Sequence, residues 1–135
     1  DGLRNKLVLT NAELDALRAT FAARDAVLSD FESLPLARRK RWMAAPGFDP
    51  ALEIVATDAA PLAERVRAAA DRELPSRRLP MPILDGNALL AEGLRPGPEF
   101  KVLLDRTLDA QLEGRVTSLE EALRFARLLR GPATA

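Results

Sequence analysis

The sequence predicts an all-α protein, and three observations lead to that fold class. Apolar residues form 47% of the 135 residues, with leucine and alanine dominant, whereas aromatic residues account for only 4%. This composition favours helix-on-helix packing over a sheet. Apolar residues also recur at helical spacing between proline and glycine breaks. We therefore expect about six to seven helices in a compact bundle or array.

The first predicted helix begins at Thr10. Thr10 and Glu13 have the spacing of a capping box, in which each side chain bonds the other residue's backbone N–H. The apolar stripe expected along one side of this helix consists of Leu14, Leu17, Phe21 and Leu28. Charged residues occupy the other faces, so the stripe predicts the inward side. Residues 1–9 are predicted to form a short strand or a lead-in loop.

Three shorter helices are expected to follow, because proline fits the first position of a helix and Asp is a good N-cap. They run from Pro35 to Ala45, from an Asp49 N-cap with Pro50 at the first position, and from Pro61 to about Leu74. The side chains predicted to face inward from the last two helices are Leu52, Val55, Leu62, Val66, Ala69 and Ala70.

Residues 75–83 contain three prolines and predict a stiff, non-helical connector. This connector divides the chain into an N-terminal helical subdomain, residues 1–74, and a C-terminal part, residues 84–135.

The C-terminal part is predicted to be a helical hairpin followed by a last helix. Asp85 should cap a short helix, and Gly93 should end it in the left-handed conformation. Gly97-Pro98 should then start a long helix that Gly114 closes. Its apolar positions are Phe100, Leu103, Leu104, Leu108 and Leu112. The last helix is predicted to start at Thr117 or Ser118, to turn Ala122, Leu123, Ala126 and Leu129 inward, and to stop at Gly131-Pro132.

The corner of this hairpin belongs to a longer motif. The motif reads Gly86-x-x-Leu89-x-x-x-Gly93-Leu94-x-Pro96-Gly97-Pro98, with Leu103-Leu104 downstream and Thr117-x-x-Glu120-Glu121-Ala122-Leu123 after the next glycine. It resembles the C-terminal region of bacterial CCA-adding tRNA nucleotidyltransferases and the related poly(A) polymerases. Segments 9–13, 39–41 and 46–48 are similar to the stretches preceding the motif in that family. Two positions depart from the family pattern, since Ala88 stands for the usual Asp and Lys101 for the usual Gly.

The resemblance implies a specific role. The chain would be the body and tail part of a longer polypeptide, as its first residue, Asp rather than Met, also suggests. It would hold the acceptor–TΨC arm of tRNA while a catalytic N-terminal domain of the same polypeptide adds nucleotides to the 3′ end. Mg²⁺ and CTP or ATP are then expected only in that catalytic domain. The compartment implied is the cytoplasm.

Composition narrows the chemistry available to the chain itself. The sequence contains no cysteine and no histidine, which removes thiolate metal sites and the commonest general base. It also lacks a Gly-Ser corner followed by paired carboxylates on a strand, which a nucleotidyltransferase needs to hold its metals. Asp105 with Asp109, and Glu120 with Glu121, are the only acidic pairs of interest, and both are typical of a solvated helix face. We expect no catalytic residue, no metal site and no apolar run of membrane-spanning length.

Binding is therefore the expected activity, and any polyanion must be held by a local patch because the formal net charge is zero. The densest basic cluster is residues 38–41, followed by Trp42. Arg38 and Arg41 share a helix face and predict phosphate contacts, with Trp42 as a possible stacking residue. Equally open is a structural interpretation, in which Trp42 belongs to the core and the basic residues form its rim.

Two further basic spots complete the predicted RNA surface. Arg77 and Arg78 lie in the connector, for which a solvated linker is the alternative. Arg95, Gly97 and Lys101 surround the start of the long helix, where free backbone amides of residues 99–101 and the helix dipole favour an anion. The alternative there is a helix–helix corner without a ligand.

A different class of function also remains open. The chain could be a helical protein-interaction or dimerisation module that no longer binds RNA, which zero net charge and the departures at Ala88 and Lys101 favour. A contiguous basic face would indicate RNA binding, and an exposed Leu/Phe patch would indicate docking. The sequence leaves the oligomeric state open. It also leaves open whether the parent protein adds CC, A, CCA or a poly(A) tail.

Overall fold

A computed structural model describes residues 8–131, and this part of the chain is all-α, as predicted. It contains seven α-helices, a 3₁₀ turn at Phe31–Ser33, and no strand. The helices are α1 (Asn11–Leu28), α2 (Leu36–Met43), α3 (Phe48–Asp58), α4 (Ala60–Glu73), α5 (Gly86–Ala91), α6 (Pro98–Leu112) and α7 (Leu119–Arg130). Most of the predicted strand or loop at residues 1–9 lies outside the described residues. None of the described helices is both long and apolar enough to cross a membrane.

The chain divides into two compact units, Asp1–Leu79 and Pro80–Ala135. The division falls inside the predicted connector at 75–83, which has no helix in the structure. Each unit has its own hydrophobic core, as described below.

The first unit packs its core between α1, α3 and α4. Phe31 and Phe48 meet at its centre, with ring centroids 6.0 Å apart. The buried core residues are Val27, Phe31, Met43, Phe48, Leu52, Val55, Ala63, Val66, Ala70 and Leu74. Burying a valine, leucine, phenylalanine or methionine side chain contributes about 1.5–3 kcal/mol, so the larger members of this core supply most of its stabilisation.

Helix α1 packs against α3 through small residues. Ala23 is fully buried on this face, and Gly47 lies directly beneath α1. A Cβ placed on Gly47 would come within 2.4 Å of the backbone at Ala19 and Thr20. The two backbones therefore approach as closely as the absence of a side chain permits.

The predicted inward stripe of α1 is wrong. Its four residues are all exposed, with relative accessibilities of 37% for Leu14, 42% for Leu17, 45% for Phe21 and 54% for Leu28. The helix instead buries Ala23 and Val27 on the opposite side. Close backbone packing over Gly47 favours small side chains at that interface, so the large residues of α1 face solvent.

The predicted start of the third helix is also wrong. The helix α3 begins at Phe48, with Gly47 as its N-cap, so Asp49 and Pro50 lie inside its first turn. Proline is tolerated there because the first N–H groups of a helix have no intrahelical acceptor. The expected burial of Leu52 and Val55 is confirmed, as is the capping box of Thr10 and Glu13.

The second unit is the predicted hairpin with the last helix packed against it. Asp85 accepts a hydrogen bond from the N–H of Ala88, which starts α5, and Gly93 adopts a positive φ of 91° beyond its end. Pro98 opens α6, and Ser118 caps α7 by accepting from the N–H of Glu121. The buried residues of this core are Leu84, Leu89, Leu94, Leu103, Ala110, Val116, Ala122 and Ala126.

Candidate nucleic-acid interface

Helix α2 carries the densest positive charge in the chain. Four of its eight residues are basic and none is acidic. Arg39 is turned toward α4, where its guanidinium forms a two-pronged ion pair with Glu73 at 3.1 and 3.3 Å. Ala37 and Met43 are buried beneath the helix. These contacts fix which side of α2 faces solvent.

The predicted contact residues of α2 differ in exposure. Arg38 is exposed, while Arg41 and Trp42 are each partly buried. Trp42 packs against the hydrophobic core of the first unit, so only part of its indole is accessible. An aromatic ring held by the core is pre-oriented, which lowers the entropic cost of stacking on a base or ribose.

Arg77 occupies a different environment from the one expected of a phosphate ligand. Its guanidinium pairs with Asp71 at 2.8 Å and Asp49 at 3.3 Å, donates to the carbonyl of Leu74, and lies 5.8 Å from the ring centre of Phe48. Burial alone would lower the pKa of the Arg77 guanidinium, but the hydrogen bonds and charges of Asp71 and Asp49 outweigh it and raise that pKa. Two carboxylates already balance this charge, which weakens the case for a phosphate contact.

The neighbouring Arg78 has an exposed side chain. Its backbone N–H donates to the hydroxyl of Ser76 at 3.2 Å, which fixes the turn at this point of the connector. Of the two predicted connector residues, Arg78 is thus the one whose side chain projects into solvent.

The Gly/Pro corner of the second unit is open. Arg95, Gly97 and Lys101 are all exposed, and no atom lies within 4 Å of the position that a Cβ on Gly97 would take. The expectation of a free Phe100 amide is wrong, because this N–H donates to the carbonyl of Gly97 at 3.0 Å. The helix closes part of its own N-terminus with a 3₁₀-type bond. Glu99 lies 3.7 Å from Arg130, so its carboxylate is drawn toward α7.

A row of arginines on α7 was not anticipated from the sequence. Arg124, Arg127 and Arg130 follow at spacings of three, and with Gly131 they line two shallow depressions at the end of the helix. Each has an acidic neighbour, the tightest being Glu92, which accepts from Arg127 at 2.7 and 3.0 Å. These hydrogen bonds lower the pKa of Glu92 and raise that of Arg127. The spacing was visible in the sequence, but the acidic partners were not.

The described residues contain no group of three acidic side chains close enough to hold a metal ion. The acidic pairs considered above lie on helices, with Asp105 exposed and Asp109 partly buried on α6, and Glu120 and Glu121 exposed on α7. Glu121 serves the start of α7, where it accepts hydrogen bonds from the hydroxyl and the N–H of Thr117. That role accounts for Glu121 structurally.

The predicted contact residues are thus divided between the two units. Arg38, Arg41, Trp42, Arg77 and Arg78 belong to the first unit, and Arg95, Gly97 and Lys101 to the second. Comparison of the chain with protein-family models, curated proteins and solved structures yields no match. The case for a function therefore depends on the residues themselves and on the motif described above.

Proposed function

We propose that this chain is a non-catalytic RNA-binding module that grips the phosphate backbone of a folded RNA such as tRNA. The observation that carries the proposal is the excess charge of α2, with four basic and no acidic residues in eight. Contacts with an RNA backbone depend on the shape and charge of the RNA more than on its base sequence.

The arrangement of α2 supports this proposal in two ways. The ion pair of Arg39 with Glu73 holds the helix on the first unit, so its accessible face has a defined direction. Arg38 is exposed on that face, and Arg41, three residues further on, is partly buried beside the core-anchored Trp42. Two guanidinium groups next to an aromatic edge suit a phosphate with its adjoining sugar or base.

The parent activity belongs to the same proposal. The motif from Gly86 to Pro98 resembles CCA-adding tRNA nucleotidyltransferases and poly(A) polymerases, in which a separate catalytic domain uses Mg²⁺ with CTP or ATP. In such a protein this chain would position the tRNA acceptor–TΨC arm while the 3′ end is extended. Arg78, Arg95 and Lys101, all exposed, would add weaker phosphate contacts.

The test is binding of the full 135-residue chain to a tRNA transcript, with and without its 3′ CCA, across a salt series. We expect binding that ignores the CCA end and weakens steeply with salt, since phosphate contacts release counterions. Replacing both Arg38 and Arg41 by alanine should weaken binding about tenfold or more and reduce the salt slope by about two.

The matched control replaces Arg67 and Arg106, two exposed arginines on α4 and α6, and so removes the same charge elsewhere. This variant should bind within about twofold of the unchanged chain, because α2 is intact. Equal weakening by both double variants would show a non-specific charge effect and contradict the proposal. So would a folded chain that fails to bind tRNA at low salt.

A second candidate function, protein docking, is favoured by one specific observation. Helix α1 presents Leu14, Leu17, Phe21 and Leu28 to solvent along one side. Large apolar side chains aligned on a single helix face are a feature of interaction surfaces.

A further inference from the structure

The exposed stripe of α1 has the spacing of a coiled-coil seam. Leu14, Leu17, Phe21, Arg24 and Leu28 follow one another at intervals of three, four, three and four residues. This is the a/d pattern by which one helix packs its side chains between those of a second helix. The surface complementary to the stripe is therefore another helix rather than a flat sheet or a small molecule.

We propose that the stripe pairs with the same helix of a second copy of this chain, in antiparallel orientation. The proposal deepens the docking function suggested above and is independent of RNA binding by α2. It depends on charge complementarity around the stripe. It also depends on which residue would lie against Arg24 in antiparallel and in parallel pairing.

Antiparallel pairing matches Leu17, Phe21, Arg24 and Leu28 with suitable partners when the two residue numbers sum to 45, as a/d layers require, and Leu14 then lies beyond the end of the other helix. Leu17 then meets Leu28 of the second copy, and Phe21 meets Arg24. The flanking e positions bring Arg18 opposite Asp25 of the second copy, and two-fold symmetry repeats this ion pair. One stripe thus supplies both halves of its own interface.

Parallel pairing fails at the centre of the same seam. It would place Arg24 directly against Arg24 of the second copy, and two like charges in a desolvated layer are unfavourable. The antiparallel register instead sets Arg24 against an aromatic ring, where a guanidinium is attracted to the π face. A single polar residue inside an apolar seam is also a known means of fixing register.

The conformation of Arg24 fits this arrangement. Its guanidinium already lies 5.1 Å from the ring centre of Phe21 in its own chain, and its Nε is buried without a hydrogen-bond partner. The side chain therefore lies along the stripe instead of extending away from it. In the antiparallel pair it would be bracketed by Phe21 of both copies.

The ion pairs present within one copy offer little resistance to this pairing. Arg18 lies 3.7 Å from Asp15, and Arg24 lies 3.3 Å from Asp25. The side chains of Arg18, Asp15 and Asp25 are each at least 70% exposed. Ion pairs of this exposure contribute about 0–1 kcal/mol, so they can exchange partners readily.

The first experiment is sedimentation equilibrium of the full chain up to about 1 mM, the concentration of a very weak dimer. The apparent mass should rise from 14.7 kDa toward twice that value. Replacing Leu17 by Gln and Phe21 by Ser should abolish the rise, with circular dichroism checking that the exposed substitutions leave the fold intact. A chain that stays monomeric, or a dimer that survives these substitutions, would overturn the proposal; the monomeric result would leave the stripe to a helix of another protein.

Charge reversal tests the orientation. Arg18→Asp alone and Asp25→Arg alone should each weaken the dimer about tenfold, because each places two pairs of like charges across the seam. The double variant Arg18→Asp with Asp25→Arg should regain the original affinity, since the ion pairs re-form with opposite sense. A double variant as weak as the singles would overturn the antiparallel register, and tRNA binding measured on the same variants would show whether the two activities are separate.

Discussion

Gly47 determines how the first unit is assembled. It lies where the backbones of α1 and α3 nearly touch, and the atoms that a side chain would meet are the backbone C and O of Ala19 and the N of Thr20. Backbone atoms cannot rotate aside as a flexible side chain can, so any substitution must push the two helices apart.

We expect Gly47→Ala to destabilise the protein by about 3 kcal/mol or more, the upper range for overpacking a core. Urea denaturation followed by circular dichroism would measure the change. Gly97→Ala is the matched control, because Gly97 has an extended φ of 170° and open space around it. A Gly47→Ala variant as stable as this control would contradict the close packing of α1 on α3.

Arg77 shows how a basic residue can be structural although its position in a loop suggests binding. It adopts a left-handed φ of 57°, which is unfavourable for a residue with a side chain. The ion pairs with Asp49 and Asp71 and the contact with Phe48 offset that cost. Asp49 and Asp71 precede Arg77 by 28 and 6 residues, so the spacing of charges next to Arg77 did not reveal this pair of partners.

Among the elements, the helix boundaries show what sequence patterns predict well. Caps act within three or four residues, and the capping residues Thr10, Asp85 and Ser118 all fulfil their predicted roles. The predicted start of α3 was two residues too late because proline is accepted throughout the first turn of a helix.

The inward face of α1 illustrates what such patterns miss. Periodicity identifies an apolar stripe but does not say whether it faces the core or another molecule. The signal that could have corrected the prediction is a second stripe of small residues at the same spacing, Ala16, Ala19, Ala23 and Ala26, together with a glycine elsewhere to receive it. Only the fold shows that Gly47 is that glycine.

The helix α7 gives the second unit a dependence on pH. Hydrogen bonds from the Thr117 hydroxyl, and then from its backbone N–H, lower the pKa of Glu121 below its ordinary 4.5. A hydrogen bond from Arg127 lowers the pKa of Glu92 in the same direction. A carboxyl whose pKa falls on folding stabilises the folded state at neutral pH, and this contribution disappears as pH drops below 4.5 through the folded-state pKa.

We therefore expect the unfolding free energy to decline between pH 5 and pH 3, and Glu121→Gln with Glu92→Gln to make that decline shallower. Denaturant titrations at a series of pH values would measure both slopes. Glu120→Gln removes a neighbouring carboxylate of the same helix turn and serves as control. A decline as steep in the double variant as in the unchanged chain would contradict the role of these two hydrogen-bonded carboxylates.

At the scale of the whole molecule, the two hydrophobic cores share no residue. One is built from residues between 27 and 74, and the other from residues between 84 and 126. Units of this kind often open separately in hydrogen exchange, since the cooperative unit follows the packed core.

Leu103→Ala should consequently lower protection of amides in the second unit and leave the first unit unchanged. Leu103 is buried in the second core, where removing a leucine side chain costs about 2–5 kcal/mol. Native-state hydrogen exchange resolved by residue would detect the difference. Equal loss of protection around Phe48 would show that the two units unfold as one.

The candidate site was predicted less completely than the fold. Composition and spacing were sufficient for the all-α class, the non-helical connector and the hairpin corner, because these depend on local chemistry. Whether a basic residue can contact RNA depends instead on its acidic neighbours, which the fold brings from distant positions in the sequence. Arg39 pairs with Glu73, 34 residues away, and Arg127 with Glu92, 35 residues away.

Helix α1 buries small residues and exposes its large apolar residues, and this arrangement also has a consequence for the folding reaction. In the unfolded chain, Leu17 and Phe21 are available for hydrophobic collapse, which takes microseconds, yet the native unit leaves both in contact with water. Early compact states can bury them in non-native contacts that must break before Ala23 docks over Gly47. The stripe is thus a source of energetic frustration within a single chain, and any helix that covers it in the native state would relieve that frustration.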